Sequence, residues 1–124
     1  MKCFLLVLLM IITAASQLWG AEKVISSREA RALLAGKTPV YLLDVRTPRE
    51  YSQERLAGSV LIPISDLERR VTEVPKDRPI LVYCAVGGRS QPVARFLARK
   101  GYKDVYEMSD GIEGWKRNGF PVQR

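Results

Sequence analysis

Apolar and polar positions along the chain fall into short alternating blocks that read as strands and helices in turn. Val24-Ile25 is a brief strand, and Ser26 with Glu29 three residues on is a capping box opening a helix through Ala35, ended by Gly36. Lys37-Thr38-Pro39 is a turn. Val40 to Val45 is a nearly continuous apolar run of strand length with Asp44 near its carboxyl end, the pattern of a strand covered on both faces. Thr47-Pro48-Arg49-Glu50 signals a helix start, with Thr47 as N-cap, for a short helix that gives way near Leu56-Ala57-Gly58. Val60 to Pro63 is a short extended piece. Ser65 and Glu68 form a further capping box for a helix reaching about Val74, and Pro75 to Pro79 is a polar turn.

Ile80-Leu81-Val82-Tyr83 is the next strand, and it ends on Cys84. The loop Cys84-Ala85-Val86-Gly87-Gly88-Arg89-Ser90 leads into a helix from Gln91 to Lys100, whose Val93, Phe96, Leu97 and Lys100 stem recur at helical spacing. Gly101 stops that helix. Val105 to Met108 is another strand, and Ser109 to Gly111 leads into Ile112, Trp115 and the terminal Phe120-Pro121-Val122, read as packing residues. The alternation predicts an α/β fold: a small, mainly parallel sheet flanked by helices on both faces. Ligands of such sheets bind at the carboxyl ends of strands, so Asp44-Val45-Arg46, the Cys84 loop and Met108-Ser109-Asp110 are expected on one rim.

Residues 1–20 are different in kind. Lys2 precedes an apolar run from Phe4 to Ile12, small residues follow, and no acidic residue appears before Glu22. This is the pattern of a secretory signal peptide, with cleavage expected between Ser16 and Ala21 and a domain at 21–124. A periplasmic or secreted location follows; the alternative is a membrane anchor through residues 3–20. Cys3 precedes the apolar core and carries no lipidation signal.

Composition narrows the chemistry. With 124 residues, 47% hydrophobic and 27% charged, the chain suits one small globular domain. Residues 1–20 hold one of the 20 Lys and Arg and none of the 13 acidic residues, so their removal takes the net charge from +7 to +6. It also leaves Cys84 as the single cysteine, unable to form an internal disulfide. The cations are dispersed, which disfavours nucleic acid and suits a small anionic substrate or an anionic partner surface equally well. The chain has no histidine, so a histidine-dependent triad, a histidine zinc site and a Cys–His pair are excluded, and no metal or cofactor is expected. A monomer is expected, with no stable membrane association once the leader is removed.

A thiol at a strand end, before a tight loop and a helix N-terminus, can face several backbone N–H groups, which favour a thiolate. Gly87 and Gly88 admit positive φ and close backbone approach, and Arg89 supplies a permanent cation. Arg89 has two readings: a structural pair with Glu50 or Asp44, or contact with an anionic substrate. Asp44 and Arg46 read as a rim ion pair, and Ser90 as a loop hydroxyl or the helix N-cap.

These residues resemble the single-domain rhodaneses, thiosulfate-type sulfurtransferases, of the exported kind. The resemblance rests on Leu43-Asp44-Val45-Arg46 with Glu50-Tyr51, on Gly58 to Pro63, on Cys84-x-x-Gly87-x-Arg89-Ser90, and on Asp110-Gly111-Ile112-x-x-Trp115 with Gly119 to Val122. It implies that Cys84 takes the outer sulfur of thiosulfate as a persulfide, releases sulfite, and gives the sulfur to cyanide or another thiophile. Loop amides from Ala85 to Ser90 would hold the charge. Arg55 stands where the family often has histidine. A related phosphatase or arsenate reductase would need a loop one residue longer between cysteine and arginine, and a thioredoxin-like oxidoreductase would need a second cysteine. A non-catalytic persulfide carrier or partner-binding module is the remaining alternative.

Overall fold

In the computed structural model, which describes residues 21–124, five strands form one sheet in the order β1-β5-β4-β2-β3, and every strand pair is parallel. The strands are β1 (Lys23–Ile25), β2 (Tyr41–Asp44), β3 (Val60–Leu61), β4 (Ile80–Tyr83) and β5 (Val105–Met108). Between them run α1 (Ser27–Ala35), α2 (Pro48–Gln53), α3 (Leu67–Arg70), α4 (Ser90–Arg99) and, last, α5 (Gly111–Arg117). The expected α/β class is therefore observed. The proposed leader lies outside the described residues. Among the described residues, no helix is long and apolar enough to cross a membrane.

The sheet is covered on both faces because β2 and β4 bury their side chains on alternate sides. Leu43, Val45, Ile80, Val82 and Cys84 join Val93, Ala94 and Leu97 of α4 in one core. Leu42, Leu81 and Tyr83 join Ala30 of α1 with Ile112 and Trp115 of α5 in the other. Burying a side chain such as Leu43 or Leu81 contributes about 1.5–3 kcal/mol. Strand β4 lies in the middle of the sheet and points its carboxyl end, with Cys84, at the rim.

The helix starts spelled out by Ser26–Glu29 and Thr47–Glu50 both form as reciprocal capping boxes. The Ser65–Glu68 box does not form. Ile62 N–H and Ile64 N–H donate to Asp44 and Val45 carbonyls, which carries the chain along β2 and straight into a 3₁₀ turn at Ile64–Asp66. Ser65 thus lies inside that turn, and α3 follows with no side-chain cap. Trp115 and Phe120 pack edge to face at 5.1 Å, and the Trp115 indole N–H donates to the Pro121 carbonyl, as a packing role requires.

Candidate active site

Cys84 is the first residue past β4, and its loop is held from below by the neighbouring strand and the last helix. Ile112 N–H donates to the Cys84 carbonyl at 3.0 Å and Glu113 N–H to the Ala85 carbonyl at 3.1 Å. Two glycines make this docking possible. Gly87 has φ +101°, and a Cβ there would lie 2.3 Å from the Ser109 carbonyl oxygen; at Gly111, φ +62°, it would lie 2.2 Å from the Ala85 carbonyl oxygen. Gly88 is different from the expectation, because its φ is not positive and a Cβ would meet nothing within 4 Å.

The loop curls so that its amides converge on sulfur. Gly87 N–H donates to Cys84 Sγ at 3.1 Å and Ser90 N–H at 3.4 Å, while Ser90 Oγ lies 3.4 Å from Sγ. Burial pushes the Cys84 thiol up, but hydrogen bonds from the Ser90 hydroxyl and from the Ser90, Arg89 and Gly87 amides outweigh it, and the net direction is down. Cys84 is 1% exposed and forms the floor of the loop, whereas Val86 at its tip is 66% exposed. The surface grooves lined by Ile64, Leu67, Pro92 and Phe96, and by Val71, Pro75 and Tyr102, contain none of the loop residues.

Arg89 does not reach into the loop as a free cation. Its guanidinium pairs with both carboxylate oxygens of Glu50, at 2.6 and 2.9 Å, which decides between the two partners open to it in the sequence. Glu50 also accepts hydrogen bonds from Thr47 N–H and Oγ, so the pair ties the Cys84 loop to the first turn of α2. The Arg89 fork, with burial opposing, holds the Glu50 carboxyl down at about 2.

Asp44 and Arg46 form an ion pair, but a buried one rather than a rim pair. Asp44 is 0% and Arg46 3% exposed, and the Arg46 Nη2 also donates to the Glu54 carbonyl at 2.7 Å. Asp44 projects on the side of Leu42 and Tyr83, opposite Cys84, and the Arg46 guanidinium lies 5.6 Å from the Tyr83 ring centre. The pair braces the end of α2 and leaves the sulfur site to others. Arg55 is likewise structural: its guanidinium lies over the Tyr51 ring and its backbone bridges to Gln123. Ser90 is the first residue of α4 rather than its N-cap, which frees its hydroxyl for the site.

Sequence reasoning missed Glu107. This β5 residue is 2% exposed, and its Oε1 lies 2.7 Å from Ser90 Oγ. Its signal was a carboxylate inside an apolar strand next to the cysteine strand. Among the described residues, no cluster of His, Cys, Asp and Glu could hold a metal ion.

With this geometry in place, comparison with known proteins settles the family. The rhodanese-like domain model matches residues 26–118. The chain belongs to the rhodanese-like domain family. It is 35% identical over 98 residues to a sulfurtransferase of Allochromatium vinosum, covering 79% of this chain and 92% of that protein. It is 36% identical over 94 residues to the thiosulfate sulfurtransferase GlpE of Coxiella burnetii, covering 76% and 87%. The structure of a rhodanese-related protein from Thermoplasma volcanium superposes with a TM-score of 0.75 at 30% identity, over 82% of this chain and 97% of that one. These relatives put the rhodanese-like chain in a sulfurtransferase family.

Proposed function

We propose that the protein is a thiosulfate sulfurtransferase that moves sulfane sulfur through a persulfide on Cys84 to cyanide or another thiophile. The observation that carries this reading is the convergence of the Gly87 and Ser90 amides on Cys84 Sγ. A nest of N–H groups stabilises one negative charge at a fixed place, which a thiolate and a terminal persulfide sulfur both carry. In the first step the Cys84 thiolate attacks the outer sulfur of thiosulfate. A new S–S bond forms, the bond to the sulfonate sulfur breaks, and sulfite leaves with the electron pair. In the second step cyanide attacks the outer persulfide sulfur, thiocyanate leaves and the thiolate returns. Charge is conserved in both steps, and no external oxidant or reductant is consumed. Removing one amide donor of this type costs about 2.7–4 kcal/mol in the transition state.

The leader pattern of residues 1–20 supports export of this activity, and the single cysteine of the remaining chain supports a thiol kept free for chemistry. The dispersed cations support a small anionic donor rather than nucleic acid.

Thiocyanate formation from thiosulfate and cyanide, measured beside Cys84→Ser, tests the reading. The expected result is turnover by the native chain and none by the variant, with intact mass showing one added sulfur on Cys84. A native chain that gains that sulfur yet makes no thiocyanate is a carrier, and one that does neither is no sulfurtransferase. The same mass reports whether the leader has been removed.

A further inference from the structure

The steps above leave the origin of the thiolate unexplained, because the chain has no histidine to take the proton. One buried carboxyl is placed to do so. Glu107 is opposite Val82 in the parallel β4–β5 register, so it lies on the same sheet face as Val82 and Cys84. The Ser90 hydroxyl stands between the two, 2.7 Å from Glu107 Oε1 and 3.4 Å from Cys84 Sγ. The Gly87 carbonyl, 3.3 Å from Ser90 Oγ, is a more distant acceptor than Glu107 for the single hydroxyl proton. Among the described residues, the charged group that bears on Glu107 is Asp110, at the start of α5. Among the described residues, no hydrogen bond or ion pair joins Glu107 to a cation.

A carboxylate buried without a cation is strongly disfavoured over its neutral form. Burial accordingly raises the Glu107 carboxyl; the Ser90 hydrogen bond opposes this and Asp110 adds to it. We propose that Glu107 is a positioning residue that takes up the Cys84 proton through the Ser90 hydroxyl and thereby sets the ionisation of the nucleophile. Of the two proton arrangements of the pair, the disfavoured one has the Glu107 carboxylate accepting the Ser90 O–H and the Cys84 S–H donating to Ser90 Oγ. In passing to the other, the S–H bond breaks, its proton bonds to Ser90 Oγ, and the former Ser90 proton bonds to Glu107 Oε1. Negative charge moves from carboxylate to sulfur with no proton lost to solvent. The product is a neutral acid donating to Ser90 and a Ser90 hydroxyl donating to the thiolate. Cys84 and Glu107 then share one proton, and the pair titrates in two macroscopic steps.

The inference rests on Cys84 being the nucleophile, but its test needs no sulfur donor, so it can fail or succeed independently of thiosulfate turnover. The full chain is titrated by ultraviolet thiolate absorbance and by the rate of alkylation with iodoacetamide. For the native chain both rise in two steps separated by a plateau, and in the plateau the infrared carbonyl band of a buried neutral carboxyl coexists with thiolate. In Glu107→Gln and in Ser90→Ala the plateau is lost, and below the single remaining step alkylation rises about tenfold per pH unit. A single step in the native chain, or a plateau without the neutral-carboxyl band, overturns the proposal without recourse to any variant. So does a plateau that survives in either folded variant.

Discussion

The guanidinium of Arg89 grips the carboxylate of Glu50 through two parallel contacts, 2.6 and 2.9 Å long, and this pair joins the Cys84 loop to the start of α2. Replacing Glu50 by Gln removes a partly exposed charge pair, so the expected loss is about 1 kcal/mol. The native Glu50 carboxyl is depressed from 4.5 to about 2. Its contribution is therefore fully present above the unfolded value of 4.5 and disappears as pH falls toward 2. Urea unfolding of native chain and Glu50→Gln, followed from neutral to acid pH, should show two stabilities that converge below pH 4.5. A gap that stays constant down to pH 2 would refute the pair's role.

The two loop glycines should part company. Gly87→Ala forces a Cβ to 2.3 Å from the Ser109 carbonyl at a φ of +101°, so the loop must shift or the sheet open. Left-handed strain alone costs about 1–2 kcal/mol, and the clash adds to it. Gly88→Ala meets open space and should stay within about 0.5 kcal/mol of the native chain. Thermal melts together with Cys84 alkylation rates check both, the first variant losing stability and thiol reactivity and the second neither.

Asp44→Ala strands the Arg46 guanidinium in a site that is 3% exposed. Removing one partner of a buried pair costs about 3–5 kcal/mol. Because the pair lies on the face opposite Cys84, the folded fraction should keep the native pKa of the thiol. A shifted thiol titration in folded Asp44→Ala would show instead that the pair belongs to the sulfur site.

Deleting residues 123–124 removes the two backbone hydrogen bonds, 2.9 and 2.7 Å, that bridge Arg55 and Gln123. Each contributes about 0.5–1.5 kcal/mol, so denaturant midpoints should fall by about 1–3 kcal/mol in stability while thiocyanate turnover per folded molecule is kept. Equal loss of turnover would place Arg55 in the reaction.

What could be read from the residues was local or strongly periodic. Two capping boxes, the apolar strands and the Cys84 loop all announce themselves within a few residues, and family-like motifs tie them in order. The Ser65–Glu68 box misled because hydrogen bonds to Asp44 and Val45, some twenty residues back, fix where the turn begins. The sequence leaves the partner of Arg89 open between Glu50 and Asp44, because the buried pairing of Asp44 with Arg46, which leaves Glu50 to Arg89, is set by packing. Glu107 escaped because its place beneath Ser90 depends on the register between β4 and β5, which no short stretch of chain encodes.

The sheet order has a kinetic corollary. Cys84 reaches its geometry only when β5 has added to β4, since Ser109 contacts Gly87 and the α5 amides hold the Cys84 and Ala85 carbonyls. Parallel strands joined by crossovers form slowly, because loop closure precedes the contacts that reward it. A nascent or refolding chain thus carries a thiol of ordinary acidity, mostly protonated at neutral pH and slow to oxidise. The raised acidity of the Cys84 thiol therefore belongs to the assembled sheet and not to the strand–loop–helix segment alone. Stopped-flow refolding with a thiolate-selective reagent should show labelling that appears with the slowest phase, after most of the helical signal has returned.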